Sequence, residues 1–177
     1  MVILSFFRLI RLPILLFVAA IQSATRWFII KPMIELNGFD FIMTDFQFLL
    51  LVLSSMLIGG AGYAINDYFD VKIDRINKPK TIIVGRLIKR RVAMATHVIM
   101  TGLGLTTAFY LCYSLGIWEL TSLFVLAAFL LWLYSTNLQH TIFFGNLVIA
   151  LIAGFAPLIV GLFEIPLLNN AHPDIIE

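Results

Sequence analysis

Apolar residues run along this chain in five long blocks separated by shorter polar connections. The blocks cover approximately 12–30, 46–65, 92–113, 117–134 and 142–163. Each approaches or exceeds the roughly 20 residues that a helix needs to cross a bilayer. The connections at 114–116 and around 137–141 are short enough to force antiparallel neighbours. The first block follows Arg8 and Arg11 and has the charge placement of a secretory signal. Its apolar run is longer than a signal's hydrophobic region, however, and it ends in Arg26, Trp27 and Lys31, so it reads as a retained helix. Arg26, near the far end of that helix beside Trp27, is expected to anchor by snorkelling to the interface.

Composition turns this pattern into a membrane assignment. Of the 177 residues, 61% are hydrophobic and 12% charged, about half the charged share usual in soluble proteins. With a mean hydropathy of +1.00, the chain has more apolar surface than its own core can hide, which excludes a soluble globule and a disordered chain. The single cysteine, Cys112, excludes an intramolecular disulfide, and His97, His140 and His172 are too scattered to form a ligand set. His97, within the third block, is expected to serve helix packing. A net charge of +2 gives no reason to expect a nucleic-acid partner.

Eight of the twelve Lys and Arg residues fall between the second and third blocks: Lys72, Arg75, Lys78, Lys80, Arg86, Lys89, Arg90 and Arg91. By the positive-inside rule this loop faces the cytoplasm. Glu35, Asp40 and Asp45 in the first connection, and Asp174 and Glu177 in the tail, are acidic and fall on the other side if the chain crosses five times.

Acid is concentrated just before the basic loop. The second block runs through Gly59, Gly60 and Gly62, which admit a close neighbouring helix, into Asn66-Asp67-Tyr68-Phe69-Asp70-Val71-Lys72-Ile73-Asp74. If the helix continues, Asp67, Asp70 and Asp74 lie within about 60° of one another, and three carboxylates project from one face. Such a face repels itself unless a cation is present. Oxygen-only ligands favour Mg²⁺ or Ca²⁺ over zinc or copper, and Mg²⁺ typically binds one or two carboxylates, waters and substrate phosphates. The plainer alternative is a solvated helix end whose acids pair with Lys72, Arg75 and Lys78. Tyr68, Phe69, Val71 and Ile73 between the acids make the segment amphipathic, which weighs against that alternative.

The motif Asn66-Asp67-x-x-Asp70-x-x-x-Asp74, followed by Asn77-Lys78-Pro79, Gly85 and a basic run, resembles the first aspartate-rich motif of the UbiA-type intramembrane prenyltransferases. Arg11-x-Pro13, Tyr134-Ser135 and Gly145-Asn146 resemble that family as well. The resemblance implies an all-α integral membrane protein whose five transmembrane helices correspond to the first half of a nine-helix bundle. Residues 1–177 form a single domain on this reading, expected to be incomplete at its C-terminus. The resemblance further implies Mg²⁺ held by Asn66, Asp67, Asp70 and Asp74, with the three aspartates catalytic. Arg75 and Lys78 are candidate diphosphate contacts, with Tyr134 and Asn146 as the opposite wall. The implied reaction transfers a polyprenyl group from its diphosphate to a lipophilic acceptor within a bacterial-type inner membrane.

The chain departs from the family pattern in three places. It has no second acidic cluster, which leads to the expectation that it is inactive alone. Gln139-His140 stand where many relatives have Lys-Arg, and Ile14 stands where many have a polar residue. A cation-coupled transporter and a non-catalytic helical membrane subunit are the competing readings.

Overall fold

In the computed structural model, which describes residues 2–77 and 79–171, every long element is a helix. A short amphipathic helix, α1 (Val2–Leu9), precedes the first span and exposes Ile3, Leu4 and Phe7. The first span, Leu12–Leu36, consists of α2 (Leu12–Ala24), a π-helical segment (Thr25–Ile30) and α3 (Lys31–Leu36). The remaining long helices are α4 (Asp45–Phe69), α6 (Arg90–Ser114), α7 (Thr121–Thr136) and α8 (Ile142–Ala171). A short helix, α5 (Val71–Asn77), follows α4. Five helical stretches are long and apolar enough to span a membrane, in the order the apolar blocks predict. With the density of apolar side chains on the outside of the bundle, this makes the chain an integral membrane protein.

Helix α4 is the axis of the bundle, touching α2, α6 and α7. It starts from a capping box in which the Thr44 hydroxyl accepts from the Gln47 N–H at 3.3 Å, and the Gln47 side-chain oxygen accepts from the Thr44 N–H at 2.9 Å. Its glycines work as the sequence suggests. A Cβ at Gly60 would lie 2.6 Å from the Met100 methyl, so α6 occupies the space that a side chain would need. His97 on α6 bonds through Nδ1 to the Ala61 carbonyl oxygen at 3.1 Å, which is the packing role expected of it. Helix α6 stops at Gly116, whose φ of +70° is the left-handed conformation that lets Ile117 N–H bond back to the Cys112 carbonyl at 3.0 Å.

The structure corrects the expectation for Arg26, which does not snorkel. It is 2% exposed and points into the bundle from the π-helical segment. Its guanidinium donates to the Met43 carbonyl at 2.8 Å, pairs with Asp45 at 3.1 Å and lies over the rings of Phe41 and Phe48. Glu164, fully buried on α8, accepts from the N–H groups of Ile42 and Met43 at 2.7 and 3.3 Å. One turn before Arg26, buried Gln22 donates to the Ser55 hydroxyl and the Ala156 carbonyl. Together these groups tie α2, α4, α8 and the 37–44 connection into a closed end. A large apolar cluster including Leu51, Leu111, Phe124 and Phe163 lies alongside them.

Candidate functional site

The opposite end of α4 carries the acidic motif. The helix is interrupted at Asp70, so α4 and α5 are two pieces, yet the i, i+4 backbone spacing survives the junction. The Asp70 N–H bonds to the Asn66 carbonyl at 3.0 Å, and the Asp74 N–H to the Asp70 carbonyl at 2.8 Å. Asp67, Asp70 and Asp74 therefore stay close enough for Asp67 to feel both of the other charges. All three are partly buried. Asn66 donates its side-chain N–H to an Asp70 carboxylate oxygen at 2.7 Å, which leaves the amide oxygen of Asn66 as its remaining donor atom toward a cation.

The solvated-end alternative expects these acids to pair with the lysines and arginines that follow them. Asp67 instead pairs with Arg11, from the turn between α1 and α2, at 3.4 Å. Arg11 also lies over the Tyr63 ring, 4.6 Å from its centre. Arg75 lies against the loop: its guanidinium is 3.3 Å from where a Cβ on Gly85 would stand, and Gly85 itself has φ +89°. Only glycine fits that position without strain. Lys78, the other candidate diphosphate contact, lies outside the described residues.

The 79–88 loop is anchored from below. Leu9, Ala64, Val71, Val84, Ile88 and Ala93 form one buried cluster joining α1, α4, α5, α6 and the loop. Arg86 holds the start of the loop by donating to the Lys80 carbonyl at 2.8 Å.

From the far side, the turn between α7 and α8 reaches the acids. Gln139 lies within hydrogen-bonding reach of Asp70, and His140 is near enough for its charge to be felt there. The turn is tight because residue 145 is glycine: a Cβ there would sit 2.5 Å from the Leu138 carbonyl oxygen. Tyr134 is half-buried, with its ring beside Gly145, and so supports this turn from within. Ser135 is buried and donates to the Leu131 carbonyl at 2.9 Å, while Asn146 is exposed. Gln139, which the sequence reading did not offer, reaches Asp70 from the turn between the helices that carry Tyr134 and Asn146.

The Asp70 carboxyl is pushed above the usual carboxylate range, first by burial and then by repulsion from Asp74. Hydrogen bonding from Gln139 and Asn66 and the nearby His140 oppose the shift. Among the described residues, no three His, Cys, Asp or Glu side chains close around a point that could hold a metal by themselves. The donor set nevertheless fits Mg²⁺. It is all oxygen, it concentrates negative charge without enclosing it, and Mg²⁺ binds through one or two carboxylates while waters and phosphates complete its shell.

The model of the UbiA prenyltransferase family matches residues 36–165. The digeranylgeranylglyceryl phosphate synthase of Methanosarcina mazei is 35% identical over 118 residues, which cover 67% of this chain and 38% of that protein. The synthase of the same name from Pyrococcus horikoshii is 37% identical over 114 residues, covering 63% and 39%. A solved structure reported for digeranylgeranylglyceryl phosphate synthase in membranes superposes with a TM-score of 0.69 at 26% identity, covering 94% of this chain and 56% of that one. The matched stretches thus span about two fifths of the length of these curated relatives.

Proposed function

This chain belongs to the UbiA prenyltransferase family, and from that premise we propose that it serves the transfer of a polyprenyl group from its diphosphate to a lipophilic acceptor in the membrane. The observation that carries this reading is the gathering of Asp67, Asp70 and Asp74 at one end of the central helix, partly buried and next to a basic loop. Asn66, Asp67, Asp70 and Asp74 would hold Mg²⁺, which when bound supplies the positive charge that a departing diphosphate needs.

The chain's own residues do the rest. Arg75 and Lys78 bind the diphosphate and orient it toward the carboxylates. Gln139 holds the Asp70 side chain from the α7–α8 turn, and the apolar walls of α4, α6 and α7 keep water from the carbon–oxygen bond that breaks. The relatives' names point to a lipid phosphate as the acceptor class, and digeranylgeranylglyceryl phosphate synthesis is the reaction most consistent with them. The basic loop faces the cytoplasm of a bacterial-type inner membrane on this reading, so the donor arrives from that side. A transporter is less well supported, because its cation-binding acids belong near the bilayer midplane, whereas these stand at a helix end.

The test is a transfer assay on membranes containing the chain, alone and co-expressed with the C-terminal half of a related synthase. Transfer is expected in the pair, and Asp70→Asn is expected to lower it at least a hundredfold with unchanged expression. Full transfer by the paired Asp70→Asn variant would reject the role of the motif.

A further inference from the structure

Arg11 is no metal ligand, yet it stands at the carboxylate cluster. Its guanidinium is 3.4 Å from an Asp67 carboxylate oxygen and 4.6 Å from the centre of the Tyr63 ring. Tyr63 and Asp67 are four residues apart on α4, one above the other on the same face. One guanidinium therefore rests on a ring and meets an acid at the same time. It occupies a position where its positive charge acts on Asp67, which also feels Asp70 and Asp74.

The backbone is anchored on both sides of Arg11. Leu9 is buried with Ala64 and Val71, and Ile10 is buried in a separate cluster with Leu15, Ala61 and Met100. The Arg11 N–H donates to the Arg8 carbonyl at 3.1 Å, and the Arg11 carbonyl accepts from the Ile14 N–H at 2.9 Å. Gly59 lets the start of α2 close on α4, since a Cβ there would lie 3.2 Å from a Leu15 methyl. Between these anchors Arg11 adopts φ 51° and ψ 51°, and it is the one non-glycine residue with positive φ among the described residues. That conformation is costly for a residue with a side chain and persists only where the surroundings enforce it. Glycine would make the same turn without strain, so the turn alone does not account for an arginine there.

The pair with Asp67 is of a kind that can exchange. At 3.4 Å it is longer than a charge-assisted N–H···O bond of roughly 2.7–2.9 Å, and the Arg11 side chain is 44% exposed. Arg26, buried and bonded at 2.8 Å, is the fixed counterpart at the other end of the bundle. We propose that Arg11 is a placeholder cation, which neutralises Asp67 while the motif is empty and gives it up, staying on Tyr63, when a divalent cation binds. This rests on the reading of the motif as a divalent-cation site and adds how that site is filled. Leaving Asp67 is easier for the guanidinium once the diphosphate has brought its own negative charge. Arg11 thereby makes metal uptake depend on the diphosphate, which is a coupling between two ligands of one site.

Mn²⁺ titration of the purified chain, followed by electron paramagnetic resonance with and without geranylgeranyl diphosphate, tests it. Asparagine tolerates the left-handed conformation, so Arg11→Asn removes the charge and keeps the turn. Without diphosphate, Arg11→Asn is expected to tighten Mn²⁺ binding about fivefold, whereas Arg11→Lys, which keeps the charge, should bind as the wild type does. Adding the diphosphate should then gain less in Arg11→Asn than in the wild type. In an Asp67→Asn background, Arg11→Asn should bring no tightening. Unchanged or weaker binding in Arg11→Asn would overturn the placeholder and leave the metal site standing. Tightening that persists with Asp67→Asn would assign the effect to the field of the arginine on the whole cluster and overturn the exchange. Wild-type Mn²⁺ binding that neither Asp67→Asn nor the diphosphate alters would reject the metal site itself, and the placeholder with it.

Discussion

At one end of the bundle Arg26 is 2% exposed, and its charge is met by Asp45, by the field of Glu164, by a backbone carbonyl and by two aromatic faces. At the other end Asp70 is partly buried beside Asp74, and burial and like charge raise its pKa despite its hydrogen-bonding neighbours. Both ends place charge at the edge of a membrane span. The first brings opposite charges together and closes; the second brings like charges together and stays open to a basic loop. A protein that needed only stability would have no reason to gather carboxylates there, since the repulsion works against folding until a cation arrives. The contrast sets a closed, self-neutralising polar network at one end against an open acidic one, the proposed site, at the other.

The largest effect should come from the closed end. Arg26→Ala truncates a buried side chain, removes its bond to the Met43 carbonyl and takes away the positive charge near Glu164, and truncation of a large buried side chain costs about 2–5 kcal/mol. Unfolding in mixed micelles should show a loss of that size, with Lys72→Ala at the open end within about 0.5 kcal/mol of wild type. Comparable losses in the two variants would break the contrast.

A mid-sized effect is expected at the α7–α8 turn. Gly145→Ala would place a Cβ 2.5 Å from the Leu138 carbonyl oxygen, a backbone group that cannot rotate away. The overlap should cost about 1–3 kcal/mol and shift Gln139 away from Asp70. A crosslink between cysteines introduced in place of Gln139 and Asp70 would report that shift, forming readily in the parent background and poorly once Gly145→Ala is added.

The smallest effect has an unusual sign. Because the Asp70 pKa is raised in the folded chain, ionised Asp70 destabilises the fold above its folded pKa. The penalty shrinks as pH falls through that value and is gone below the ordinary carboxylate range. Without divalent cations, Asp70→Asn should therefore raise the unfolding midpoint at pH 7, and the gain should vanish at acid pH. A variant less stable than the parent at pH 7 would mean that the carboxylate is already neutralised by its protein neighbours.

Much of this was legible in the chain because hydrophobic blocks and i, i+4 spacing are local properties. The five spans and the shared end of Asp67, Asp70 and Asp74 follow from them. Contacts between distant helices leave no such trace. Arg11 meets Asp67 across 56 positions, and nothing in the periodicity of either segment announces the pair. Burial of Arg26 was missed because Trp27 beside it is the usual mark of an interfacial anchor. The available signal was Glu164, the acid just past the fifth apolar block, which lies toward the same end as Arg26 because the first and fifth spans run in the same direction. Gln139 was passed over because it stands where a cation was expected, and its amide reaches the acid from a turn whose tightness depends on Gly145.

The central claim is that the acidic motif is a divalent-cation site completed by a diphosphate. Electron paramagnetic resonance of Mn²⁺ with the purified chain, with and without a polyprenyl diphosphate, tests it most directly. The expected result is weak Mn²⁺ binding alone, at least tenfold tighter binding when the diphosphate is added, and loss of that gain in both Asp67→Asn and Asp70→Asn. Mn²⁺ binding that is indifferent to the diphosphate, or unchanged in both variants, would contradict the account.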